Sequence, residues 1–261
     1  MITGASSGLG LAMAKALLAA GGEVALASRS EKKLKEALRD LKVHGDRAHI
    51  LVTDVRDEDS VRSAVSWVKE NWGELDMLVN NAGIGMVTVN PNFLTQPLPF
   101  HDVPPSKFKD VFDTNVFGYF LVSSAFARLF LERKERSVAK QVGRIVNVSI
   151  NRETMTRRGF VPYGPSRAAS EAMSYVIAED LKPFKIAVNI LLPGGATKTA
   201  MIPIGTPDEI RTRLLNPDVM ARPIAFLASD EAEGLTGQRI VATDFDSWLS
   251  KFRASRPRDR L

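Results

Sequence analysis

The 261-residue sequence contains no cysteine, which excludes disulfides, thiol nucleophiles and thiolate metal sites and leaves stability to packing. A reducing compartment fits this. Histidine is scarce, and His101, inside the proline-rich stretch Gln96 to Ser106, has no metal-ligating residue types near it; it reads as a loop residue. Long apolar runs are missing too: no stretch reaches the roughly 20 apolar residues that span a bilayer. The opening MITGASSGLG lacks a charged segment followed by an apolar run. These absences predict a cytoplasmic protein without a membrane partner. The net charge of +5 gathers in local clusters, Arg133 to Arg136 and Arg253 to Arg260, without an aromatic-studded basic face or zinc-ligand spacing, so nucleic acid is not an expected partner.

What is present is ordinary globular composition, 44% hydrophobic and 25% charged, in a chain long enough for one large domain. Short aliphatic runs predict strands at Glu23 to Ser28, Arg47 to Thr53, Asp76 to Asn80, Gly143 to Ser149, Lys185 to Leu191 and Gln238 to Val241. Between them, helical spacing of apolar residues marks Leu9 to Ala20, Glu31 to Leu41, Asp57 to Asn71, Pro105 to Leu131 and Pro162 to Leu181. This alternation predicts an α/β fold: a doubly wound, Rossmann-type parallel sheet with helices on both faces. One domain over residues 1–250 is expected, followed by a basic tail over 251–261. Only Met1 and Ile2 precede the first glycine turn, so the first strand looks truncated, either by a start downstream of the natural one or as a real weakness of the sheet.

That turn, Thr3-Gly4-Ala5-Ser6-Ser7-Gly8-Leu9-Gly10, opens an alanine- and leucine-rich helix, where backbone amides and the positive helix end can face a pyrophosphate. Alone, it is also compatible with a tight connection. About 20 residues on, where a dinucleotide-binding fold places the residue that meets the adenosine ribose, stands Ser28-Arg29. Arginine suits a ribose phosphate where an acidic residue would suit two hydroxyls, which favours NADP, with NAD still possible. The competing reading of Arg29 is a surface residue at a strand end.

The turn is followed by Asp54-Val55, Asn80-Asn81-Ala82-Gly83, Asn115, Tyr163, Pro193-Gly194, Leu227-Ala228-Ser229-Asp230 and Thr236-Gly237. In this order they resemble the short-chain dehydrogenase/reductase (SDR) family, over nearly the whole chain. The resemblance implies that Gly4, Ser6, Ser7, Gly8, Leu9 and Gly10 hold the pyrophosphate, that Asp54 holds the adenine amino group with Val55 beside the ring, and that Asn81, Ala82 and Gly83 flank the ribose. It implies further that Pro193, Gly194 and Thr197 or Thr199 lie near the nicotinamide. Asp54 could equally cap a helix, and Asn81 could be a plain turn residue.

Reducing a carbonyl needs a hydride at carbon and a proton at oxygen. Tyr163 is the expected proton donor, and a nearby cation would favour its phenolate. Arg167, four residues on along a helix, supplies that cation where the family pattern has lysine. Its planar guanidinium does not reproduce a compact ammonium. A second departure is at Ile150, where the family places a serine; Ser149 precedes it and Asn151 follows. Adjacent strand residues point to opposite faces, so Ser149 is either the substrate-binding hydroxyl, brought in by a turn or bulge, or a strand-end serine. Asn115 matches the asparagine that, in the family, holds a relay water behind the lysine. The expected function is NAD(P)-dependent oxidoreduction of a small-molecule alcohol or carbonyl by a homodimer or homotetramer. The alternative is a cofactor-binding protein of the same fold with impaired or lost catalysis. The segment Met201 to Val219 is expected to cover an open substrate pocket.

Overall fold

The computed structural model describes residues 1–136 and 141–255. Seven parallel strands form one sheet: β1 (Ile2–Thr3), β2 (Val24–Ser28), β3 (Ala48–Val52), β4 (Met77–Asn80), β5 (Gly143–Val148), β6 (Ile186–Leu192) and β7 (Arg239–Val241), in the order β3-β2-β1-β4-β5-β6-β7. The helices are α1 (Gly8–Ala19), α2 (Glu31–Asp40), α3 (Glu58–Asn71), α4 (Pro105–Phe112), α5 (Gly118–Arg136), α6 (Arg152–Met155), α7 (Tyr163–Leu181), α8 (Asp208–Arg211), α9 (Ala221–Ala228) and α10 (Phe245–Ser255). The fold is the doubly wound, Rossmann-type arrangement. Two apolar clusters cover opposite faces of the sheet. Met13, Leu18, Leu34, Ile224 and Phe245 belong to one, and Val61, Val68, Phe126, Phe130 and Ala178 to the other.

The strand order reverses between β1 and β4, which opens a crevice at their carboxyl ends. At this junction β1 has two residues, registering Ile2 with Leu26 and Val79, and Thr3 with Ala27. The Met1 amino group is buried and donates to the Met77 carbonyl at 2.9 Å; burial pulls its pKa down to about 5, against the opposing pull of Asp76.

The long helix expected from residue 105 is interrupted by a wide π turn at Asp113–Phe117, a geometry that hydrophobic periodicity does not encode. From Pro105 to Lys134 the stretch is long enough to cross a membrane and reaches a mean hydropathy of 1.3, yet 56% of its most apolar window is buried inside the domain, as in a core helix. The expected basic clusters also resolve differently. Arg133 pairs with Glu74 at 2.9 Å and Asp76 at 2.8 Å. Residues 251–255, expected in the tail, continue α10, because Phe245, Leu249 and Phe252 form an apolar stripe at helical spacing. Residues 256–261 lie outside the described residues.

Candidate active site

The glycine turn and the asparagine turn are built as one unit. The Thr3 hydroxyl accepts from the Asn81 and Ala82 amides, both at 3.0 Å, and donates to the Val79 carbonyl. The Asn81 side-chain amide donates to the Thr3 and Gly4 carbonyls at 2.9 and 3.1 Å, so it fastens β4 to β1 as well as forming a turn. At Gly4, φ is +63° and a Cβ would lie 2.8 Å from the Ala82 Cα; no other residue fits there. Ser7, which precedes α1, makes no capping side-chain bond, so the first amides of the helix remain available.

Gly4, Ser7, Gly8, Leu9, Asn81, Ala82, Gly83, Ser149, Tyr163, Arg167, Pro193 and Thr197 line a single cavity of about 530 Å³. Ser6, Gly10, Arg29, Asp54, Val55, Asn115 and Gly194 do not line it. Ser6 donates to the Ser28 hydroxyl at 3.2 Å, linking the turn to the end of β2. Arg29 is exposed there and forms no ion pair among the described residues. Val55 is buried against Gly118, where a Cβ would come within 2.8 Å of it. Asp54 caps no helix: Asp57 caps α3, accepting from the Ser60 amide at 2.6 Å. The Asp54 carboxylate is instead held by Arg56, at 3.1 Å from Nε and 2.8 Å from Nη2. That guanidinium keeps the Asp54 pKa below the ordinary carboxylate value, with burial opposing it.

Tyr163 opens α7, half-buried, and Arg167 lies one turn on, fully buried. The Arg167 guanidinium carbon is 5.5 Å from the Tyr163 ring centre and 5.4 Å from that of Tyr119. Its Nη1 donates to the Tyr119 hydroxyl at 2.8 Å and to the Val148 carbonyl at 3.1 Å. Burial opposes the charge, and the Tyr119 and Tyr163 oxygens outweigh it, holding the arginine pKa above its ordinary value. Tyr119 is pushed up in turn by burial, against the pull of Arg167.

Asn115, at the π turn, is spent on Ile84 and on the Ser166 hydroxyl, to which it donates at 3.1 Å. Its side chain accepts from the Ile84 amide at 2.9 Å and donates to the Ile84 carbonyl at 3.0 Å, while its own carbonyl accepts from Ser170 at 2.7 Å. Arg167 is hydrogen-bonded to Tyr119 and Val148, and no bond joins it to Asn115 among the described residues.

At the end of β5, Ser149, Ile150 and Asn151 all line the cavity. Ser149 is buried and its hydroxyl has no partner among the described residues. A buried hydroxyl without a partner is costly unless a ligand supplies one. Asn151 donates to the Gly194 carbonyl at 2.8 Å. The Ile150 carbonyl accepts from Arg239 Nη2 at 2.8 Å, and Arg239 Nε lies 3.0 Å from both Glu171 oxygens. Gly194 faces away from the cavity: its φ is +98° and a Cβ would sit 2.1 Å from the Thr243 hydroxyl. Thr197 donates to the Gly195 carbonyl at 3.2 Å, whereas the Thr199 methyl packs on Gly8.

Beyond Tyr163 the cavity has an apolar wall of Met86, Phe93 and Phe160, with the Arg157 guanidinium carbon 5.2 Å from the Phe160 ring centre. Of the segment expected to cover it, Met201 and Ile202 reach it, Met201 packing on Gly85. Sequence reasoning missed Tyr119, Arg56, Glu171, Arg239 and this apolar wall. A signal for Tyr119 was available: it is four residues beyond Asn115, on the same helical face, and an arginine at 167 needs more acceptors than a lysine. The uncapped amides of α1 and the glycines that exclude side chains together fit a dinucleotide.

Comparison with known proteins shows the family. The family model described as short chain dehydrogenase matches residues 1–208. Gluconate 5-dehydrogenase of Gluconobacter oxydans is 31% identical over 194 residues, covering 74% of this chain and 69% of that protein. The 3-oxoacyl-[acyl-carrier-protein] reductase of Salmonella typhimurium is 29% identical over 254 residues, covering 92% and 93%. Among solved structures, the 3-ketoacyl-(acyl-carrier-protein) reductase of Brucella melitensis complexed with NADH superposes with a TM-score of 0.78 at 29% identity, covering 92% of this chain and 94% of that one. With the crossover crevice, the interlocked turns and the tyrosine on α7 in place, the chain belongs to the short-chain dehydrogenase family of oxidoreductases.

Proposed function

We propose that the protein interconverts an alcohol and a carbonyl with NADP as cofactor, Tyr163 acting as acid and base. The observation that carries this reading is that Tyr163, Arg167 and Ser149 line one cavity with the glycine turn. The nicotinamide, when bound, supplies or accepts the hydride. Tyr163 gives its phenolic proton to the substrate oxygen in reduction and recovers it in oxidation. Arg167 is a permanent charge that favours the phenolate, and Ser149 donates to the oxygen as it becomes negative. Exposed Arg29, without an ion pair among the described residues, supports the preference for a ribose phosphate. Phe117, Phe120, Tyr175 and Val176, exposed on the π turn, α5 and α7, support assembly as a homodimer or homotetramer. A cysteine-free chain suits the cytoplasm.

The test is NADPH oxidation over a carbonyl panel that includes a keto sugar acid and a 3-oxoacyl thioester, the compound types that the relatives' names suggest. Tyr163→Phe should lower kcat by about 10²-fold or more. Equal rates for the two proteins remove Tyr163 from the mechanism. Arg29→Asp should move the NADPH to NADH preference toward NADH.

A second reading, cofactor binding without turnover, draws support from Arg167, whose Nη1 hydrogens are both taken by protein groups. It is the outcome if NADPH binds, no carbonyl is reduced, and neither Arg167→Lys nor Ile150→Ser changes that.

A further inference from the structure

Arg167 stands where the family pattern has a lysine, and a long planar group needs more than a charge balance to be useful there. Its donors can be counted. Nη1 carries two hydrogens, one for the Tyr119 hydroxyl at 2.8 Å and one for the Val148 carbonyl at 3.1 Å. Tyr119 passes its own hydrogen to the same carbonyl at 3.2 Å, closing a three-membered ring of bonds in which every hydrogen is used. Nε is buried and has no partner among the described residues, and Nη2 lies against Gly83, where a Cβ would come within 2.2 Å of it. Gly83 lines the cavity.

Two bonds on one nitrogen of a rigid plane set the direction of the other two nitrogens. Tyr119 is buried at the first turn of α5, directly after the π turn, and its ring lies as close to the guanidinium carbon as the ring of Tyr163 does. The guanidinium is therefore held between a tyrosine that faces the cavity and one that does not line it.

We infer that Tyr119 is a positioning residue: with the Val148 carbonyl it locks the plane of Arg167, so that Nη2 stays beside Gly83 at the cavity wall and the charge stays fixed against the Tyr163 ring. This rests on the proposed role of Tyr163. An arginine free to rotate would not hold its charge in one place; one braced from behind does. Tyr119 acts through Arg167 and touches neither substrate nor cofactor.

The experiment compares the parent, Tyr119→Phe, Arg167→Lys and the double variant. Each is measured by NADPH fluorescence titration without substrate and by the pH profile of kcat and KM on the best carbonyl of the panel. Phenylalanine keeps the ring, and an unchanged near-ultraviolet circular dichroism spectrum confirms packing. Tyr119→Phe should weaken NADPH binding severalfold, lower kcat about tenfold to a hundredfold with little change in substrate KM, and move the basic limb of the profile to higher pH. In the Arg167→Lys background the same change should alter all three readouts less than about twofold, because lysine has no plane to set.

If Tyr119→Phe leaves binding, kcat and profile unchanged while Tyr163→Phe abolishes turnover, the inference falls and the proposed function stands. Additive effects in the double variant also overturn it, as does a faster Tyr119→Phe enzyme, since Tyr119 would then compete for the charge. If Tyr163→Phe reacts normally or no carbonyl is turned over, the proposed function falls, and non-additivity in NADPH binding alone decides whether Tyr119 positions Arg167.

Discussion

Replacing Gly194 by alanine tests how tightly the loop after β6 is specified. At φ +98° an alanine occupies backbone space that L-residues avoid, at about 1–2 kcal/mol. Its Cβ would lie 2.1 Å from the Thr243 Oγ1, 2.8 Å from Cγ2 and 2.9 Å from Cβ, so the two segments must separate, and overpacking of this kind costs about 1–3 kcal/mol. Together these give a loss of about 2–5 kcal/mol. In a chain of 261 residues that lowers the melting temperature by roughly 4–9 °C. The two contributions are separable. Thr243→Ala removes the two nearest atoms and should restore most of the steric part in the Gly194→Ala background, while the backbone cost persists. Differential scanning calorimetry of the four proteins gives both numbers. A Gly194→Ala protein melting within about 1 °C of the parent refutes the reasoning, and so does a Thr243→Ala change that recovers nothing. Because Asn151 donates to the Gly194 carbonyl, the same variant should also weaken NADPH binding.

Glu171→Gln weakens the buried pair with Arg239, and with it the clamp on the Ile150 carbonyl; a loss of about 2–4 kcal/mol in urea denaturation is expected, with little dependence on salt. The Met1 amine offers a test of pH dependence. Its folded pKa of about 5 lies below the ordinary 8.0, so between these values the unfolded chain binds more protons and stability rises with pH, being lost as pH falls from 8 to 5. The three-unit difference is worth about 4 kcal/mol, and acetylating Met1 should flatten the urea midpoint between pH 5 and 8 relative to the free amine. Parallel pH curves for the two forms would contradict the burial of that amine.

The strands were legible because a parallel sheet covered on both faces demands short, uniformly apolar runs. β2 to β7 begin and end within one residue of the expected bounds for this reason. The glycine and asparagine turns were legible because close backbone approach admits few residue types. The π turn was not, since a five-residue bulge leaves the apolar rhythm of the surrounding helix intact. α10 was missed because its basic residues outweighed the stripe of Phe245, Leu249 and Phe252. Around the candidate site, Tyr163 and Arg167 could be paired from their spacing on one helix. Tyr119 lies 48 residues from Arg167, and Arg239 lies 68 residues from Glu171 and 89 from Ile150, and pairings at such separations leave no local pattern. The position of the Ser149 hydroxyl depended on how β5 ends, which alternation alone leaves open.

The two-residue strand β1 has a mechanical consequence. It is the seam between β2 and β3 on one side and β4 to β7 on the other, and its ladder is short, continued beyond the two strand residues by bonds of Met1 with Met77 and Val79 and from the Ala5 amide to Ala27. The side chains of Thr3 and Asn81 add hydrogen bonds across its β4 side. The sheet is creased along this seam, and amide exchange at residues 2–4 and 79–82 should slow when a dinucleotide binds. A dinucleotide lying across the crease would act as a brace between the halves, so that cofactor binding and cooperative unfolding of the whole domain become one coupled property.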